Sequence, residues 1–444
     1  SLSYLGVHGT WSQRKEDAMR IISKRCLGLD LHKKQITAHL RVQIGSDQEP
    51  LGEDLRFGTM PDDLERLRQW IIDQKVETVV MESTSVYWMH LYERIEDVTK
   101  PLVANASHVK KVPGRKTDVG DAQWLAELGA HGLLRPSFVP PKEIRALRSV
   151  ARYRTRCVAM QTAIRNRTIK LLEMAGIKLS SVVSDCFGVT GRAILNALTK
   201  DKPVDVVKLA KMSLRKKTDE LDRCLGNGLL SALQCRLLKM HLEAYDAIDA
   251  QIAQCELELA TLSEPYSEAI AALDAIPGIN RLGAITVIAE IGVDMKAYRN
   301  DAHLTALAGL APGNAISADK RRRISVRKGN HHLKRICVQL AWAASRKKGS
   351  FLRVRFLRLQ NRIGRNKAVV ALARQMLVLI YHVLSGKPYT DLGSTFYDER
   401  DKVRAVDRYV RKLAALGYNV QLVKKPTSRV TSRCTEGDIV LRRG

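Results

Sequence analysis

In the stretch GRKTDVGDAQW, Asp118 and Asp121 stand three residues apart, just after a basic run and at the head of a segment with helical character. On a helix that spacing turns both carboxylates to one face. Two further acids have apolar surroundings: Asp30 within LGLDL, and Glu82 at the end of ETVVME. A lone carboxylate among leucines is costly to bury without a cation. Magnesium prefers hard oxygen ligands, and carboxylates gathered from adjacent elements can hold one or two such ions. Two ions flanking a phosphodiester activate the attacking oxygen and neutralise the leaving one. Taken singly, each acid has a plainer role: Asp118 as a helix cap, Glu82 as a solvent-facing strand end. Taken together, Asp30, Glu82, Asp118 and Asp121 point to metal-assisted chemistry on a phosphate.

The elements that must position these acids alternate in type. RCLGLDL, ITAHLRVQI and EDLRFGT read as three strands, followed by the amphipathic helix PDDLERLRQWIIDQK with acids in its first turn. ETVVME and PLVANA read as buried strands, with SVYWMHLYERIED and DVGDAQWLAELGAHG as helices. Three strands and then strand–helix alternation predict a mixed sheet with helices on its faces, an α/β domain over 24–138.

From 139 to 262 the pattern is helical. Nine Lys or Arg fall between 142 and 170, with Glu143 as their sole acidic opponent before Glu173. Arg145, Arg148, Arg152 and Arg156 step by three or four along one face, a candidate grip on nucleic-acid backbone; a solvated charged face is the alternative. Leu233, Leu237, Met240, Ala244, Ala247, Ile248, Ile252, Cys255, Leu259 and Leu262 recur at three- and four-residue steps, which predicts a long helix in a hairpin or coiled coil. A third, mostly α domain is expected over 263–395, opening on LDAIPGINRLGAITVIAEIG. Its PGIN turn resembles a helix–hairpin–helix, where Gly278 would let a phosphate approach backbone N–H groups. Residues 345–367 hold nine more Lys or Arg and no acid. A basic tail over 396–444 is expected to contain a helix and a strand in YNVQLVKK.

The chain carries 74 Lys plus Arg against 46 Asp plus Glu, a net charge of +28, which calls for a polyphosphate partner. Its eight cysteines are scattered without a CxxC pair, which speaks against a zinc site and for a reducing cytosol. Residues 1–23 carry no apolar signal core and are set aside from the fold. No apolar run of membrane-spanning length stands out, so a cytoplasmic protein without a membrane partner is expected.

GLDLHKKQITA, MESTSVYW and GRKTDVGDAQWLAEL, in that order, resemble the three blocks of the DEDD transposases of the insertion sequence 110 family. LAGLAPGNAISADKRRRISVRKGNHHLKR resembles that family's second, C-terminal transposase block. The likeness runs over roughly residues 25–395. It implies that the first domain is RuvC-like, a ribonuclease-H-type fold, with Asp30, Glu82, Asp118 and Asp121 as its Mg2+ ligands. It also implies a serine nucleophile at Ser317, followed by Lys320, Arg321, Arg322 and Arg323, which could hold the scissile phosphate. Without the resemblance nothing distinguishes Ser317 from other loop serines. One departure stands out: Asp319 occupies a position where relatives often carry glycine.

The family further implies a prokaryotic recombinase guided by a structured bridge RNA. That RNA pairs with donor and target double-stranded DNA, and the protein works as a homo-oligomer, a dimer of dimers, associated with the nucleoid when active. An aromatic content of only 5% suits phosphate gripping better than extensive base stacking. The expected function is therefore RNA-guided, Mg2+-assisted strand exchange through a covalent serine–DNA phosphate. The rivals are a RuvC-like, Mg2+-dependent nuclease that hydrolyses branched DNA with water, and a non-catalytic scaffold.

Overall fold

The apolar run Arg25–Leu31 (β1) becomes the middle strand of a five-stranded sheet in the computed structural model. Residues 21–45, 48–83, 86–104, 109, 118–134, 136–200, 204–226, 230–312, 316–317, 320–321 and 329–419 are described, with backbone alone for Asp118, Val119, Ser213, Ile316, Ser317, Lys320, Arg321, Asp398, Arg404 and Ala405. The chain divides into two units, 1–139 and 140–444. The breaks expected at 262 and 395 fall inside the second.

In the first unit β1 pairs antiparallel with Ile36–Val42 (β2), which pairs antiparallel with Leu51–Phe57 (β3). On its other side β1 runs parallel to Thr78–Glu82 (β4), and β4 parallel to Lys100–Ala104 (β5), giving the order β3-β2-β1-β4-β5. Parallel neighbours need a crossover, and the helices Pro61–Asp73 (α1) and Tyr87–Ile95 (α2) occupy those positions in the chain. Alternation along each strand sorts the side chains. Leu27, Leu29, Val79 and Met81 pack with Leu64, Leu67 and Ile71 of α1 and with Leu91 and Ile95 of α2. Cys26 and Val80 turn to the opposite face, against Leu125 and Leu128 of the helix Asp118–Ala130 (α3).

Small residues set that second contact. A Cβ on Gly28 would lie 2.0 Å from the carbonyl oxygen of Ala122 and 2.6 Å from the amide nitrogen of Ala126. One on Gly129 of α3 would strike Val80 and the Cys26 sulfur.

In the second unit Lys142–Met174 (α4) and Ala232–Leu262 (α5) form an antiparallel pair within the chain. Arg154 meets Glu256, Gln161 meets Asp249 and Thr168 meets His241, so one index falls as the other rises. Cys157, Ile164, Ile248 and Ile252 form the seam. The expected stripe shifts toward the start of α5: Leu233 and Met240 are 58% and 61% exposed, while Cys235, Leu238 and Leu242 are buried. The reason is tertiary, since short helices between 179 and 225 bring Leu179, Ile194, Leu195 and Leu221 onto that face. Apolar residues lie on more than one face of α5, and the neighbours decide which is covered.

The remaining helices are Ser267–Asp274 (α6), Arg281–Ile291 (α7), Asp301–Leu307 (α8), His331–Ala344 (α9), Phe351–Ile363 (α10), Arg365–Leu384 (α11) and Lys402–Ala415 (α12). Contrary to the sequence expectation, α11 is long and apolar enough to cross a membrane by length and composition. Most of it is buried within the unit, with Leu372, Ala373, Met376 and Ile380 fully covered, as in the core helix of a helical domain. YNVQLVKK lies almost wholly outside the described residues.

Gly28→Ala is expected to lower the unfolding free energy by about 3 kcal/mol, because two backbones rather than a flexible side chain must separate. Urea denaturation checks this against Gly45→Ala, whose added methyl would find its nearest neighbour at 3.8 Å.

Candidate functional site

The last paired residues of β1 and β4, Leu29 and Met81, bring the next residues, Asp30 and Glu82, side by side on adjacent strands. Both lie in the alternation of Cys26, Gly28 and Val80, on the α3 face of the sheet. Ala122 of α3 lies over Gly28, and Gly129 lies over Cys26 and Val80, so α3 runs antiparallel to β1. Its first turn, with Asp118 and Asp121, is therefore directed toward the Asp30 end. Asp30 is 22% exposed and its Oδ2 lies 3.0 Å from Nε2 of His32, which directly follows the Asp30 strand. Glu82 is half-buried and Asp121 exposed. Among the described residues no three acidic, histidine or cysteine groups form a metal cluster, and the Asp118 side chain is not among them. The donor set is entirely carboxylate oxygen apart from His32, which suits Mg2+ chemistry.

In the second unit Ile316–Ser317 (β6) and Lys320–Arg321 (β7) pair antiparallel, with Ser317 opposite Lys320. Asp319, Arg322 and Arg323 lie outside the described residues. The chain enters this segment from the end of α8 and leaves it at the start of α9, and the two stems touch. The Asn330 N–H donates to the Leu307 carbonyl at 2.7 Å, and a Cβ on Gly329 would fall 2.3 Å from the Gly309 nitrogen. Asn330 caps α9, its Oδ1 accepting from the amides of His332 and Leu333.

Behind that cap lies a charged group that sequence reasoning missed. Glu290, the one acid on the mostly apolar α7, is 2% exposed. Arg152 donates to both its carboxylate oxygens at 2.8 Å, and Asn330 Nδ2 donates to Oε2 at 2.6 Å. Arg148 donates to the backbone carbonyls of Ala289 and Glu290. Burial alone would raise the Glu290 carboxyl, but the hydrogen bonds from Arg152 and Asn330 and the two guanidinium charges outweigh it and hold it below the usual range. The signal was a lone acid inside AITVIAEIG, the same kind that marked Asp30.

The arginines expected to grip nucleic-acid backbone have internal partners: Arg148 and Arg152 compensate Glu290 from within the fold. Arg145 donates to the Pro140 carbonyl, and Arg156 is the exposed member of the four. In the second basic block Arg355 donates to the Tyr397 hydroxyl and Arg365 stacks over Trp342, while Lys347, Lys348, Arg362 and Lys367 stay exposed. In the PGIN turn Gly278 has φ +92°, and its missing Cβ makes room for the Ala344 backbone of α9.

Comparison with known proteins adds three findings. Residues 27–176 match a family described as "Transposase", the DEDD transposase family of IS110, and residues 270–354 match "Transposase IS116/IS110/IS902 family". The chain is also 25% identical over 324 residues to the transposase for insertion sequence element IS1111A of Coxiella burnetii (strain RSA 493 / Nine Mile phase I), covering 70% of this chain and 78% of that protein.

Arg152→Ala strands the buried Glu290 charge and is expected to cost about 3 kcal/mol of stability. Arg156→Ala, on the surface, should stay within about 0.5 kcal/mol; equilibrium denaturation separates them. Burial first, then the Arg152 and His331 charges, pushes the His332 imidazole down to about 4 from 6.5. A folded-state value below the unfolded one means stability present above pH 6.5 and lost as pH falls toward 4. The urea midpoint should fall across that window, with a shallower slope in His332→Gln.

Proposed function

Because the chain belongs to the IS110 family of DEDD transposases, we propose that this transposase of a mobile element is an RNA-guided recombinase, joining donor and target DNA through a covalent bond to Ser317. The observation that carries this best is the gathering of Asp30, Glu82 and the first turn of α3 at one end of the α3 face. The strand order β3-β2-β1-β4-β5, antiparallel on one side of β1 and parallel on the other, supports a ribonuclease-H-type, RuvC-like reading of that unit.

Asp30, Glu82, Asp118 and Asp121 would hold the metal. When bound there, Mg2+ would supply charge neutralisation at a DNA phosphate. The chain's own part lies in the nucleophile and its surroundings. Ser317 Oγ attacks phosphorus, a new P–O bond to serine forms, one P–O bond to deoxyribose breaks, and the freed sugar oxygen takes up a proton. The phosphoester is conserved, so reversal onto a second DNA end needs no ATP. Lys320 and Arg321, with Arg322 and Arg323, supply the cations a five-coordinate phosphate demands. A serine hydroxyl is a weak nucleophile unless charge of this kind lowers the cost of its ionising.

A structured bridge RNA and double-stranded donor and target DNA are the partners this reading requires. Exposed Arg156, Lys347, Lys348, Arg362 and Lys367 offer phosphate contacts that carry no sequence information, which leaves sequence to base pairing. Work on two DNAs at once asks for a homo-oligomer, a dimer of dimers, acting at the nucleoid.

The deciding experiment incubates the chain with its element's flanking RNA and with donor and target DNA, then looks for a protein–DNA adduct on a denaturing gel. Wild type should give the adduct, and both Ser317→Ala and Asp30→Asn should lose it. Cleavage without adduct, indifferent to Ser317→Ala, would mean hydrolysis by water.

A further inference from the structure

The buried acid Glu290 has no part in the chemistry just described, yet it reaches one stem of the segment that carries Ser317. Three observations bear on this. Its carboxylate is locked by the Arg152 fork on one side, so the side chain has a fixed direction. On the other side its Oε2 accepts from Asn330 Nδ2 at 2.6 Å, one residue beyond Gly329. Asn330 in turn spends every other polar group on the same junction: its Oδ1 on the α9 amides, its N–H on the Leu307 carbonyl of the incoming stem. The Gly329–Gly309 contact then holds the stems against each other.

We propose that Glu290 is a positioning residue for the reaction, fixing the exit stem of the 313–328 segment through Asn330 and thereby the place from which Ser317 is presented. This rests on the reading of Ser317 as nucleophile. The physical logic favours a charge here over an apolar contact. A neutral core residue would cap nothing and would leave the Asn330 amide without an acceptor, whereas a carboxylate held by an arginine fork gives a short, directional bond. A buried ionic group is a poor source of net stability compared with apolar packing, which leaves geometry as its product. Misplacing a reacting atom by about 1 Å can cost about 100-fold in rate.

Asn330→Ser isolates the bond, because serine still caps α9 but is too short to reach Glu290. With flanking RNA and end DNA at saturation, this variant should form the Ser317 adduct about 100-fold more slowly, with DNA affinity within about twofold of wild type. Amide exchange over 330–334 should quicken. Glu290→Gln alone reverses one hydrogen-bond polarity and should do the same. The pair Glu290→Gln with Asn330→Asp restores a donor facing an acceptor and should recover the adduct rate; that recovery, beside a folded and DNA-binding single variant, is what a merely structural role would not give. Faster exchange with an unchanged adduct rate would overturn positioning, and unchanged exchange and rate would overturn the brace itself. If wild type forms no Ser317-dependent adduct, the nucleophile reading fails instead, and the exchange measurement still decides whether Glu290 holds the stem.

Discussion

A carboxylate embedded in an apolar element must be compensated, and both units of this chain are organised around that requirement. In the first, Asp30 ends an apolar strand beside Glu82, and α3 brings further acid toward the same place. Such a concentration of negative charge is unfavourable unless something positive joins it, and a hard cation is the chemical answer the donors suit. In the second, Glu290 finds its compensation within the chain, from Arg152, Arg148 and Asn330. One acid set offers donors that suit a hard cation, and the other is closed by groups of the chain itself. That difference separates a group suited to chemistry from a group suited to holding geometry.

Small residues convert this electrostatic arrangement into positions. Gly28 and Gly129 let α3 press on the sheet until backbone meets side chain, and the direction of α3 follows from which glycine faces which strand residue. Gly329 plays the same part where the two stems of the serine segment meet, and Gly278 where the α6–α7 turn lies against α9. In each place the missing Cβ is filled by protein.

The charge of +28 is also less uniform than its total suggests. Part of it is consumed internally: Arg148 and Arg152 on Glu290, Arg154 on Glu256, Arg192 on Asp246. Those pairs staple α4 to α5 and α7, and α5 to the short helix Val189–Leu198. Other cations, on Arg156 and around the α9–α11 turns, are exposed. Charge that stabilises the fold and charge that faces outward lie on one helix, one turn apart.

Much of the first unit was legible in the sequence, because strand alternation and helix caps are local signals. The five strands and three helices among the described residues of that unit fall within a few residues of where apolar runs and turn residues put them. The acid set was legible for a similar reason: a carboxylate in an apolar run, or a pair at helical spacing, is conspicuous by itself. Ser317 was visible only through family likeness, since nothing local separates one loop serine from another. What the sequence could not decide was which of several arginines on one helical face would turn inward, and which apolar stripe of α5 would be covered. Those outcomes depend on residues of other helices, Glu290, 138 positions along the chain, for Arg152 and the 179–225 helices for α5. Periodicity names a face, but only tertiary packing supplies what the face meets, and burial with its electrostatic consequences belongs to the meeting.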